Sequence, residues 1–142
     1  MKTVKIYIAT TLHGPCIHTG AWAAIMECQT SKGPATRGIR GSEEQSTYYR
    51  LVLLAIVQSL SLLNTACNVI LYTDCTFVKN MIEQGKPEQW KRAEWKDPAG
   101  GERKNKELWQ QYQELSGRHK ITVRFSKYNE YMEKLGEMWQ CG

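Results

Sequence analysis

The ten residues LYTDCTFVKN, Leu71 to Asn80, set an aspartate where an apolar strand pattern gives way to a helical one. Open α/β sheets bind ligands at the carboxyl ends of their strands, so a carboxylate at that joint is placed to hold a metal or a substrate. Asp74 also suits a helix N-cap, its side chain accepting from a backbone N–H near Phe77, because strand-to-helix joints commonly carry Asp, Ser, Thr or Asn. The preceding stretch CNVILYT, Cys67 to Thr73, is too short and too β-branched for a helix and reads as a strand buried in the sheet interior. A helix follows from Cys75 to about Glu83.

Upstream, Val4, Ile6 and Ile8 alternate with Lys5 and Tyr7, GAWAAIMEC (Gly20 to Cys28) forms a second strand, and ATRGIRG (Ala35 to Gly41) a short third. The turn residues HGP and SKGP separate them, which predicts an antiparallel meander. EEQSTYYRLVLLAIVQSLSLLN then carries Leu51, Leu54, Ala55, Val57 and Leu62 at helical spacing, with Asn64 as its stop. Downstream, KPEQWKRAEWK predicts a short helix after Pro87, and DPAGGE a loop. Asn105 to Leu115 predicts a helix capped by Asn105 and ended by Gly117, HKITVRFS a last strand, and Glu130 to Trp139 a last helix. Trp109 and Trp139 fall at core spacing with their leucine and methionine neighbours. The predicted order is β-β-β-α-β-α-α-α-β-α, an α/β fold.

With 142 residues and 42% hydrophobic content, the chain can bury one ordinary core, so a single domain over residues 1–142 is expected. The longest apolar run, Leu51 to Leu63, is interrupted by Gln58 and two serines and is too short to cross a bilayer. The N-terminus alternates like a strand and has no cleavage site of a signal peptide, which predicts a cytoplasmic protein with no membrane partner. Five cysteines without a CxxC pair argue for free thiols. HGPCIH brings His13, Cys16 and His18 within six residues, as zinc ligands would be, but no fourth ligand is in sight and Gly-Pro reads as a turn.

The formal charge is +5, unevenly spread: Lys86 to Lys106 holds seven Lys or Arg against four acids, with Trp90 and Trp95 among them, and Arg118 to Lys134 holds five against two. Such patches suit phosphate backbones, and they also suit a solvated basic face.

Three stretches, VILYTDCTFVKNMI, WKRAEWK and KNKELWQ, together resemble the type 1 ribonucleases H over nearly the whole chain. GAWAAIM and HKITVRF are similar to the second and fifth strands of that family. The resemblance implies a five-stranded mixed sheet flanked by helices, and cleavage of the RNA strand of an RNA–DNA hybrid by two Mg²⁺ ions held by four carboxylates. Mg²⁺ needs hard oxygen ligands, and a pair of ions must stabilise both the attacking and the leaving oxygen. Of the four family positions, alignment places Ala9 at the first, Val52 at the second, Asp74 at the third, and the neighbourhood of Gly136 at the fourth, at the start of the last helix. Asp74 is then the one catalytic and metal position that keeps its carboxylate. Glu43, Glu44, Glu130 and Glu133 are carboxylates near these elements that would need a moved backbone to replace the others.

The resemblance also implies a nucleic-acid interface. Thr47 matches a threonine that receives a DNA phosphate, and Trp90, Lys91, Arg92, Trp95 and Lys96 match the basic segment that grips the DNA strand, while Tyr48 and Tyr49 stand where the family touches RNA with amide side chains. The cations would contact phosphates and the indoles would pack on sugars or bases, with core packing the alternative for each indole. Three readings follow. One is a catalytically degenerate ribonuclease H-like domain that binds nucleic acid, an RNA–DNA hybrid or a duplex backbone. Another is an active Mg²⁺-dependent hydrolase with non-standard ligands, and the third is a protein-interaction module that keeps only the fold. The missing carboxylates favour the first over the second, and the basic segment favours it over the third.

Overall fold

A computed structural model of the chain describes residues 1–139. Five strands, β1 (Lys2–Thr10), β2 (His18–Thr30), β3 (Gly33–Ser46), β4 (Cys67–Thr73) and β5 (Lys120–Phe125), form one sheet in the order β3-β2-β1-β4-β5. The helices are α1 (Tyr48–Ser61), α2 (Thr76–Glu83), α3 (Lys86–Arg92), α4 (Lys106–Ser116) and α5 (Met132–Met138). The meander β1-β2-β3 is antiparallel, and β4 lies in the interior, parallel to β1 on one side and to β5 on the other. Element order and sheet type are those expected from the sequence.

Period-two alternation divides β1 between two cores. Val4, Ile6 and Ile8 face α1, where Leu51, Val52, Leu53, Ala55, Ile56 and Leu60 are fully buried. Tyr7, with Ala23 and Ile25 of β2, faces the other way and is covered by Leu135 of α5. That second cover is short, packing on β1 and β2. The apolar strand β4 is accordingly buried at Cys67, Val69, Leu71 and Thr73 but only half-buried at Ile70 and Tyr72.

Of the boundaries that differ from the sequence reading, three have a visible cause. β3 runs from Gly33 to Ser46, well beyond Ala35 to Gly41, because Glu43 and Ser46 remain paired with Gly20 and His18 of β2. That pairing keeps EEQS out of the helix, and α1 starts only after Thr47, whose hydroxyl accepts from the backbone N–H of Arg50. α5 begins at Met132, since the Asn129 side chain accepts from Tyr131 N–H and Met132 N–H is bonded to the Asn129 carbonyl, a turn that precedes the helix. Among the described residues, no helix is long and apolar enough to cross a membrane.

The α5 side of the sheet is pinned by tyrosines. Tyr7 stacks on Tyr72 with ring centroids 4.6 Å apart and donates its hydroxyl to Glu130, and Tyr131 donates to the buried Glu27. The bond to Glu27 pushes the Tyr131 hydroxyl up to about 12, and burial raises Tyr7 further. A raised native pKa means that the folded state holds its proton more tightly than the unfolded chain. The resulting stability is complete below the ordinary tyrosine value of 10.0 and is lost as pH rises through about 12. An alkaline titration should show tyrosinate absorbance appearing in two steps, the later one coinciding with loss of the circular dichroism signal. Replacing Tyr131 with Phe should shrink that later step.

Candidate functional site

Parallel pairing of β1 with β4 brings the carboxyl ends of both strands to one edge of the sheet. Asp74 follows the last residue of β4 there, and Tyr48 opens α1 beside it. The Tyr48 hydroxyl donates to Asp74 Oδ1 at 2.5 Å, while His13 Nδ1, from the β1–β2 connection, lies 3.5 Å from Asp74 Oδ2. Burial, then the bond to Asp74, raises the Tyr48 hydroxyl far above its ordinary value, so it stays protonated and remains a donor. The Asp74 side chain is 31% exposed, so this triad sits at the surface end of the core.

The capping role anticipated for Asp74 does not hold. The N-cap of α2 is Cys75, without a side-chain cap bond, and Thr73 Oγ1 accepts from Cys75 N–H. The carboxylate turns instead to Tyr48 and His13. Cys75 itself is buried, and burial pushes its thiol up, so it is no ready nucleophile.

The other family positions fall as follows. Ala9 sits in β1 opposite Ala23, packed with the α5-side cluster, and Val52 is fully buried under the opposite face. Neither side chain carries a donor atom for a cation. Gly136 lies inside α5 rather than at its start; the carboxylate of that helix's first turn is Glu133, which is exposed. α5 begins at Met132, after the Asn129 turn, so Gly136 falls about one turn beyond its start. Glu43 is committed to Arg50, whose Nε donates to it at 2.7 Å, and Arg50 also bonds Glu107, holding that carboxyl below its usual range. Among the described residues no group of three or more His, Cys, Asp or Glu is placed to hold a metal ion, and this includes the HGPCIH segment. The donor set therefore does not fit the two Mg²⁺ ions that the resemblance implies, since Ala9 and Val52 offer no oxygen and Asp74 already accepts from a tyrosine.

The basic segment keeps its cations outward. Lys91, Arg92 and Lys96 are exposed, and Arg92 reaches Glu88 at only 3.7 Å. Both indoles, expected on sugars or bases, are packed instead: Trp90 is 8% and Trp95 9% exposed. Trp90 meets Trp109 edge-on at 5.2 Å and carries the Arg103 guanidinium 4.3 Å above its ring. Trp95 (φ 64) and the preceding Glu94 (φ 58) both adopt left-handed backbone, held by a bond from Trp95 N–H to the Trp90 carbonyl. That turn tucks the second indole inward. Trp109 is buried as the helical spacing predicts.

Between this segment and Asp74 runs a groove of about 770 Å³, lined among others by His13, Thr47, Tyr49, Phe77, Arg103 and Lys104. Asn105 also lines it; this residue opens α4 in left-handed conformation and, contrary to expectation, makes no side-chain cap bond, its Oδ1 facing Arg50 instead. Phe77, Arg103 and Lys104 escaped the sequence reading, because residues from separate elements meet here and no spacing pattern links them.

The RNase H family description matches residues 7–127 of this chain. The ribonuclease H of Nitratidesulfovibrio vulgaris is 34% identical over 124 residues, covering 85% of this chain and 74% of its own length, and that of Acetivibrio thermocellus is 33% identical over 144 residues, covering 97% and 92%. Among solved structures, LC9-RNase H1, a type 1 RNase H with the type 2 active-site motif, superposes with a TM-score of 0.78 at 18% identity, covering 96% of this chain and 70% of that one. The foamy viral protease-reverse transcriptase in complex with RNA/DNA hybrid superposes at 0.72 and 8% identity, covering 96% of this chain and 18% of that one.

The Tyr48–Asp74 bond has a measurable strength. In a double-mutant cycle with Tyr48→Phe and Asp74→Ala, urea denaturation should give a coupling of roughly 1 to 2 kcal/mol, as for a hydrogen bond to a partly exposed charged group. Additive effects would show that the bond does not contribute.

Proposed function

This chain belongs to the ribonuclease H family, and from its altered site we propose that it binds nucleic acid on that fold without hydrolysing it, residues 1–142 acting as one domain. The observation that carries this reading is the replacement at the strand ends. Two of the family's carboxylate positions hold Ala9 and the fully buried Val52, and the third, Asp74, is engaged by Tyr48. In-line displacement with two cations needs charge on both the attacking and the leaving oxygen, and a site with no side-chain oxygen at two of its four positions does not gather that charge.

Binding needs less. Lys91, Arg92 and Lys96 project from the basic segment and would neutralise phosphates, with Thr47 at the N-terminus of α1 receiving another. Trp90 and Trp95, being buried, would support that segment rather than touch the strand. The foamy viral relative with RNA/DNA hybrid bound shares this fold, which supports a nucleic-acid ligand here. No base-reading pattern accompanies the cations, so the contact is with the backbone and independent of sequence. A second reading, hydrolysis with non-standard ligands, has Glu133 in its favour, because a carboxylate does stand in the first turn of α5.

One set of titrations separates these readings. Gel shifts with single-stranded, hybrid and duplex oligonucleotides at several salt concentrations should show affinity falling steeply with salt. Replacing Lys91, Arg92 and Lys96 with Gln should flatten the slope by roughly two to three phosphate contacts. The same hybrid incubated in Mg²⁺ or Mn²⁺ should remain whole. Cleavage that disappears in Asp74→Asn would establish the hydrolase reading, and absence of binding to any of the three at low salt would leave the protein-interaction reading.

A further inference from the structure

Tyr49 and Phe77 are stacked on each other at the surface, ring centroids 4.3 Å apart and planes within 17°, and they remain 42% and 39% exposed. They come from the first turns of α1 and α2, so two separate elements hold the pair in place. The rings continue through the half-buried Tyr48 to the exposed His13: Tyr48 lies 5.8 Å from Tyr49, and His13 5.6 Å from Tyr48, which makes a run of four rings lining the groove. Arg103 and Lys104 line the same groove, and Arg103 Nε is buried without a hydrogen-bond partner in the protein.

We infer that this row is a stacking platform for unpaired nucleotides, so that the chain prefers single-stranded nucleic acid to a duplex or a hybrid. The inference rests on the proposed nucleic-acid binding and deepens it. A duplex offers its base edges and its phosphates, while the faces of its bases are already stacked on one another. A single strand leaves those faces free, and an exposed aromatic ring pairs with any base through them. Reading edges takes donors and acceptors, but the Tyr48 hydroxyl is spent on Asp74 and Phe77 has none, which leaves only the Tyr49 hydroxyl among these three rings. Arg103, whose guanidinium lies over the Trp90 ring, and the exposed Lys104 line the groove and supply positive charge for a backbone tracking it. Exposed aromatic pairs also suit a protein partner. Asp97 and Glu102 line the same groove as well, the first accepting from the backbone N–H groups of Ala99 and Gly101 and the second paired with Lys106, so it is the chain's net charge of +5 and the exposed Lys91, Arg92 and Lys96 of the adjoining segment that favour the polyanion.

Fluorescence anisotropy with an end-labelled oligothymidylate, and with an RNA–DNA hybrid and a DNA duplex of equal length, tests the platform. The single strand should bind more tightly than either duplex. Tyr49→Ala and Phe77→Ala should each weaken it by roughly 5- to 100-fold, the range for losing one base–aromatic stack, while leaving the salt slope and the affinity for the DNA duplex unchanged. Tyr49→Phe, which keeps the ring, should retain the wild-type affinity, and unaltered thermal melts of these surface variants exclude misfolding. Duplexes bound as tightly as the single strand, or ring removal without effect, would overturn the platform while leaving nucleic-acid binding standing. No binding of any of the three probes would overturn both.

Discussion

The parallel pairing of β1 with β4 fixes everything that bears on function in this molecule. It registers Tyr7 against Tyr72 and Ile6 against Leu71, so both strands end at the same sheet edge, where the start of α1 and the turn into α2 also arrive. Burial on both sides of β1 enforces that register: Val4, Ile6 and Ile8 pack beneath α1 and Tyr7 beneath Leu135. A slip of one residue would exchange the two faces and carry Lys5 and Tyr7 into the core beneath α1. Whatever side chains occupy positions 9, 48 and 74 are therefore held at one place with the precision of a core.

A catalytic ribonuclease H uses that place to gather carboxylates, which repel one another until cations arrive. Here the same place relaxes the conflict. Val52 adds apolar burial, Ala9 packs beside the tyrosine cluster, and the remaining carboxylate is matched by a tyrosine hydroxyl whose burial keeps it protonated. An edge that would otherwise demand metal is satisfied from within the chain. On the proposed reading, the outer surface carries the function, through the exposed cations of the basic segment and the exposed rings.

Much of this was legible in the sequence. Alternation in β1 and the apolar run of β4 placed a buried strand in the sheet interior, and the turns HGP and SKGP separated the strands of the meander. The absence of acids at positions 9 and 52 was equally plain. Less visible was what depends on partners distant in sequence. Asp74 satisfies two different local patterns, and only the arrival of Tyr48 from 26 residues away decides that it does not cap α2. The extension of β3 through Glu43 and Ser46 is set by pairing with β2, which overrides the helical look of EEQS. The burial of Trp95 depends on two consecutive left-handed residues that no turn motif announces, and the Tyr49–Phe77 stack joins two helices whose mutual placement the sheet determines.

The central claim is that Tyr48 and its neighbours have replaced cation binding at Asp74, and the most direct test is a Mn²⁺ titration followed by amide NMR. Paramagnetic broadening reports a bound ion whether or not chemistry follows. The account predicts that the amide signals of Ala9, Tyr48, Asp74 and Cys75 broaden no more than those of other exposed acidic positions, in the wild type and in Tyr48→Phe alike. Saturable broadening centred on Asp74 in the wild-type chain, abolished by Asp74→Asn, would contradict it.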